Sequence, residues 1–232
     1  MAKTKKVILF LVEGITDQET LGFILAKLIN TDEVQFEITN GDITSRYGVN
    51  ARNVKNMVWE YIKGSMNKHR YQKSDMKQIV HIIDTDGAFI PKENVLPSKT
   101  KRLQYGDEYI VTKRVEKIQE RNEQKTELVQ ELKGCSILGG IPYKIYYFSR
   151  NIEHVLHNVA GDLTKSEKMN LADKFLDEYE EQPENLVHFL TNKELYYSDD
   201  YKMSWHFILE KQNSLKRYNN FGIFLNELKP KM

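Results

Sequence analysis

Four acids stand at two places where an apolar run breaks off. In VILFLVEGITD, residues 7–17, the run meets Glu13 and then Asp17; in QIVHIIDTDG, residues 78–87, it meets Asp84 and Asp86. In an extended segment, residues separated by one other residue point the same way, so Asp84 and Asp86 are expected to share a face. Carboxylates crowded on one rim disfavour joint ionisation unless cations neutralise them. A hard divalent ion, Mg²⁺ or Mn²⁺, is the ordinary solution for an all-oxygen donor set. The chemistry to look for is therefore cation binding at the end of a sheet.

The surrounding elements must bring these acids together. Residues 5–12 are nearly all apolar, as a strand covered on both faces requires. Thr16 and Glu19 form a T-x-x-E pattern, and Leu21, Ile24, Leu25, Leu28 and Ile29 recur at helical spacing, so a helix is expected over 17–30. EVQFEIT alternates and reads as a half-exposed edge strand, followed by a helix over 50–69. A third strand, 78–84, and a fourth, 143–149, complete an α/β pattern with a parallel, Rossmann-like four-stranded sheet. With the polar second strand at an edge, the order 2-1-3-4 follows, and Glu13 and Asp84 then end adjacent strands. Sites in such sheets form at the carboxyl ends of strands.

Residues 88–110, with Pro91, Pro97 and Gly106, read as a long loop, and 111–133 as a polar helix ending at Gly134. The expected division is an α/β domain over 1–158, with a loop-helix insertion over 88–134, and a helical extension over 159–232. Gly14 and Gly87 are expected to turn the chain sharply after each strand. His81, inside an apolar strand, reads as a hydrogen-bonded core histidine.

E-G-x-x-D after the first strand and D-x-D-G after the third together resemble the TOPRIM domain of topoisomerases, bacterial primases, small ribosomal-RNA maturases and overcoming-lysogenization-defect (OLD) type nucleases. The resemblance covers residues 5–155. It implies Glu13 as a metal ligand or general acid/base, Asp84 and Asp86 as metal ligands, and Asp17 as the second acid of the nuclease-like branch. In FSRNIEHVL, Glu153 holds the place of a further ligand, although Asn151 stands where that branch often has serine. The branch also uses a late lysine, for which Lys211 and Lys216 are the candidates. Two ions roughly 3.5–4 Å apart would activate water and stabilise the leaving oxygen of an in-line phosphodiester displacement.

By the same resemblance, a standalone TOPRIM of this size is similar to nuclease effectors of bacterial anti-phage defence, often encoded beside an ATPase. No G-x-x-x-x-G-K-[ST] occurs in this chain, so a companion ATPase would be a separate subunit. The chain has no room for a strand-passage domain and no zinc module, which argues against a topoisomerase or primase. DTDGAF also resembles the start of haloacid-dehalogenase-type phosphatases, with Asp84 as nucleophile, but two strands precede it here. A non-catalytic scaffold is the remaining alternative.

Net charge is only +1 over 232 residues, so no overall basicity advertises nucleic acid, yet the charge is uneven. Residues 162–200 hold eleven acids and four bases, and 201–232 six bases and two acids. Lys99, Lys101, Arg102, Lys113 and Arg114, with Arg217 in the tail, are the candidates for holding a phosphate backbone of DNA or RNA, tRNA included. A single cysteine, Cys135, suits a reducing, cytoplasmic setting. No signal peptide or membrane span is expected, and an oligomer remains compatible with the sequence.

Overall fold

The structure is a computed structural model and describes residues 6–29, 33–100, 103–159, 161 and 163–228. Five strands build the main sheet: β1 (Val7–Val12), β2 (Val34–Ile38), β3 (Met76–Asp84), β7 (Ile137–Leu138) and β8 (Ile141–Phe148). Their order is β2-β1-β3-β8-β7. The first three neighbour pairs are parallel, and the two-residue β7 adds an antiparallel edge to β8. The sheet therefore has one strand more than the four expected, because β7 is too short to show any alternation in sequence.

Strand periodicity explains the two cores. Ile8, Phe10 and Val12 of β1 face one layer, packing with α1 (Ile15–Ile29), α4 (Ile152–His157), α5 (Lys165–Tyr179), α6 (Glu184–Leu190) and α8 (Phe221–Leu228). Val7, Leu9 and Leu11 face the other layer, formed by α2 (Val54–His69), α3 (Val115–Lys133) and α7 (Tyr201–Leu209). Every residue of β1 is buried, which is why the strand reads as a continuous apolar run. Burying each such large side chain contributes about 1.5–3 kcal/mol. Helices from the C-terminal third complete both layers. Edge strand β2 is half-buried along its length, as its alternation predicts.

Several expected boundaries move. Residues 88–110 do not form a structureless loop: β4 (Val95–Pro97), β5 (Leu103–Tyr105) and β6 (Ile110–Thr112) make a small sheet in the order β4-β6-β5. Residues 110–112 thus belong to a strand, and the helix starts at Val115. Helix α2 starts at Val54 because residues 50–53 are spent on a turn in which the Asn50 and Asn53 side chains accept main-chain N–H groups. Helix α1 starts at Ile15, and its first turn is closed by Asp17, whose carboxylate accepts the Gly14 N–H at 2.9 Å. Thr16, expected to cap the helix, lies inside its first turn. His81 is buried and hydrogen-bonded to the Tyr143 hydroxyl at 2.7 Å. Among the described residues no helix is long and apolar enough to cross a membrane.

Candidate active site

Strands β1 and β3 run side by side, with Leu11 opposite His81, so their carboxyl ends emerge together. Glu13 follows β1 directly, and Asp84 is the last residue of β3. The Asp84 N–H donates to the Glu13 carboxylate at 3.3 Å across 71 residues of sequence. The expectation that these two acids meet is met by that bond.

Asp86 behaves differently from the expected extended partner of Asp84. Strand β3 stops at Asp84, and Asp86 and Gly87 both take left-handed φ values, 49° and 66°. A Cβ on Gly87 would lie 2.5 Å from the Leu215 side chain, so glycine is needed there on both counts. Gly14, by contrast, is outside the left-handed region, and its N–H is the group that matters. The turn is held from the next strand, where Phe148 and Arg150 carbonyls accept the N–H groups of Thr85 (3.0 Å) and Asp86 (2.8 Å). Helix α3 grips it from the other side: Arg121 donates to the Asp86 carbonyl at 2.7 Å and Asn122 to the Gly87 carbonyl at 3.4 Å.

One turn further along α3, Lys125 has a fully buried side chain whose ammonium lies 2.7 Å from Asp86 and 2.9 Å from Asp42. Asp42 reaches this place because Asn40 and Gly41 turn the chain after β2 through left-handed φ values, and the Gly41 N–H donates to the Glu13 carbonyl at 2.8 Å. Sequence reasoning missed both residues. The signal for Lys125 was available: it continues the buried stripe of Leu128, Val129 and Leu132, and a lysine on such a stripe requires counter-charges.

The sixth acid comes from α4, just beyond β8. Asn151 caps α4 by accepting the His154 N–H at 2.8 Å, which places Glu153 in the first turn. Glu153 is only 4% exposed, and its Oε2 has no hydrogen-bond partner among the described residues. The Lys168 ammonium, from α5, pairs with Oε1 at 2.6 Å. Sequence reasoning also missed Lys168.

Six carboxylates, Glu13, Asp17, Asp42, Asp84, Asp86 and Glu153, thus share this rim with two ammonium groups, Lys125 and Lys168. The electrostatics follow. Burial, then the neighbouring carboxylates, outweigh Lys125 and hold the Glu13 carboxyl well above its usual range. Burial and then Glu13, Asp17, Asp86 and Glu153 do the same to Asp84. Burial, assisted by Glu153, pushes Asp17 up to about 6. Burial also opposes ionisation of Asp42, but Lys125 and the Ser45 and Thr44 hydroxyls win and hold it down to about 2. Burial would lower the Lys125 ammonium, but Asp42, Asp86 and Glu13 raise it instead.

Among the described residues no group of three His, Cys, Asp or Glu side chains stands ready around one point to hold a metal ion. The donor chemistry nevertheless fits hard cations: all oxygen, an excess of four formal negative charges over the two ammonium groups, and a buried Glu153 carboxylate whose Oε2 has no hydrogen-bond partner.

The other expected residues lie apart from this cluster or outside it. Lys211 and Lys216 are exposed, although the Lys216 carbonyl accepts the Ser149 hydroxyl and so belongs to the segment packed on the rim. Arg217 donates to the Val155 carbonyl at 2.9 Å at the end of α4 and stacks over Phe189. Lys99, Lys113 and Arg114 are exposed on the small sheet and the start of α3. Lys101 and Arg102 lie outside the described residues. Comparison with known protein families, with curated proteins and with solved structures finds no match for this chain.

Proposed function

We propose that the chain is a metal-dependent nuclease that hydrolyses phosphodiester bonds of DNA or RNA, tRNA included. The observation that carries this reading is the Asp84–Glu13 hydrogen bond, which joins two strand ends into one acidic lip with Asp17 and Glu153 in its field. Asp84, Asp17 and Glu153 would hold a Mg²⁺ or Mn²⁺ ion, with Glu13 and Asp86 beside them. Such an ion, when bound, neutralises phosphate charge and lowers the pKa of a water molecule. The protein's own part is to fix the acids: the Asp84 N–H orients Glu13, the Gly14 N–H orients Asp17, and Arg121 and Asn122 lock the Asp86 turn. Lys99, Lys113 and Arg114, exposed on the same insertion that delivers Lys125, would hold the phosphate backbone. The TOPRIM resemblance extends the proposal to an effector of bacterial anti-phage defence working with a separate ATPase.

The test is cleavage of labelled DNA and tRNA in Mn²⁺ by the wild type, Asp84→Ala and Glu13→Ala. Loss of phosphodiester cutting in both variants supports the nuclease. Release of phosphate from monoesters, sensitive to Asp84 alone, would point to a phosphatase. A second reading, a non-catalytic nucleic-acid-binding scaffold, draws on the two lysines already paired with the acids; retained binding without turnover would favour it.

A further inference from the structure

The two ammonium groups on the rim are held in different ways. Lys125 is fully buried, and each of its acceptors is itself fixed: Asp42 Oδ1 takes the Thr44 N–H at 2.7 Å, Asp42 Oδ2 takes the Ser45 hydroxyl, and the Asp86 main chain is bonded to Arg150 and Arg121. Moving this ammonium would leave two aspartates without a cation and open the turn that α3 grips. On the opposite flank, Lys168 has a side chain one-third exposed and a single ion-pair contact, to Glu153. Its flexible stem can swing into solvent at the loss of that contact and of the weaker pull of Asp84 and Asp17. The carboxylate it would leave is 4% exposed, its Oε2 already lacks a hydrogen-bond partner and its Oε1 would lose Lys168, while Asp17 and Asp84 lie close enough to feel its charge. A buried carboxylate in that condition needs a cation.

We propose that Lys125 is a resident cation of the site, filling one of the two cation places that the carboxylates offer, so that the cluster takes up a single divalent ion on the Asp17, Asp84 and Glu153 flank, where the ion displaces Lys168. The inference rests on the metal-dependent reading above and narrows it: the pair of ions implied by the family resemblance becomes one ion and one ammonium group. Asp42 and Asp86 then serve Lys125, and Lys168 is the group that an incoming ion must compete with. In this arrangement the helical region carrying Lys168 sets the apparent affinity of the site.

The test is titration of the full chain with Mn²⁺ alone, read by calorimetry and by the loss of the free-ion electron paramagnetic resonance signal. The wild type is expected to bind one ion per chain. Lys168→Gln is expected to keep that stoichiometry and to bind about tenfold more tightly, the competing charge having been removed. Lys125→Met is expected to bind a second ion; should that variant not fold, the wild-type stoichiometry and the Lys168→Gln affinity decide the matter. Two ions on the wild type, or an affinity unchanged in Lys168→Gln, would overturn the assignment while leaving a metal-dependent enzyme in place. No binding to any of the proteins would overturn the metal-dependent reading itself.

Discussion

The main-chain N–H of Asp84 reaches the carboxylate of Glu13 across 3.3 Å, so two strand ends far apart in the chain share one lip of the sheet. Burial first and then Glu13 hold the Asp84 carboxyl well above its usual range, which means that the ion-free fold carries an electrostatic cost there. Asp84→Asn keeps the side-chain shape and removes a carboxyl group whose ionisation the fold opposes. Without divalent ions, the variant is expected to be more stable than the wild type by about 0.5–2 kcal/mol, the usual gain when a functional strain is relieved. Urea denaturation in chelator measures this, and a loss of stability would contradict it.

The pH dependence follows from the direction of the shifts. Asp17 is raised from 3.8 to about 6, so the folded protein keeps a proton that the unfolded chain has released. Its contribution is complete below 3.8 and lost as pH rises through about 6. Glu13 and Asp84 move in the same direction. Asp42 moves in the other: held down to about 2, it contributes above 3.8 and loses that contribution as pH falls towards 2. Ion-free protein is therefore expected to melt at lower temperature as pH rises from about 4 to 7, and saturating Mg²⁺ to flatten that fall. Thermal melts with and without chelator at several pH values check both statements.

Lys125 and the surface lysines separate buried from exposed charge. Lys125→Ala strands Asp42 and Asp86 without a counter-charge and is expected to cost about 3–5 kcal/mol. Lys144→Ala removes an exposed pair with Glu227 and is expected to cost less than about 1 kcal/mol. Equilibrium unfolding of the two variants side by side measures the difference.

Gly87 is tested by one methyl group. Gly87→Ala places a Cβ 2.5 Å from Leu215 on a backbone with φ of 66°. The expected cost is about 1–3 kcal/mol, and the displaced Asp86 turn is expected to weaken ion binding as well. A variant as stable as the wild type would show that the turn has slack.

What the sequence made legible, and what it hid, divides on physical lines. Glu13 and Asp84 were legible because a fully buried strand admits no charge, so an acid marks its end and adjacency does the rest. Asp17 followed from its place just beyond a strand end, and Glu153 from the resemblance to the nuclease-like branch of the TOPRIM domain. The small sheet within 88–112 was hidden because its strands are three residues long, too short for alternation to register. Asp42 was hidden in a turn that only Asn40 and Gly41 make possible. Lys168 was hidden on a helix rich in charge, where one lysine facing inward looks like its solvated neighbours, whereas Lys125 was marked by the apolar stripe that it continues. The late lysine was expected past residue 200, whereas the ammonium groups on the acids come from α3 and α5.

Crystals of the full chain soaked in Mn²⁺ and measured at the manganese absorption edge test the central claim most directly. The account predicts an anomalous peak in contact with Asp84 and Glu153, with Lys168 turned away and Lys125 still bound to Asp42 and Asp86. Diffraction that showed no manganese at this lip, with Lys168 still seated on Glu153, would contradict it.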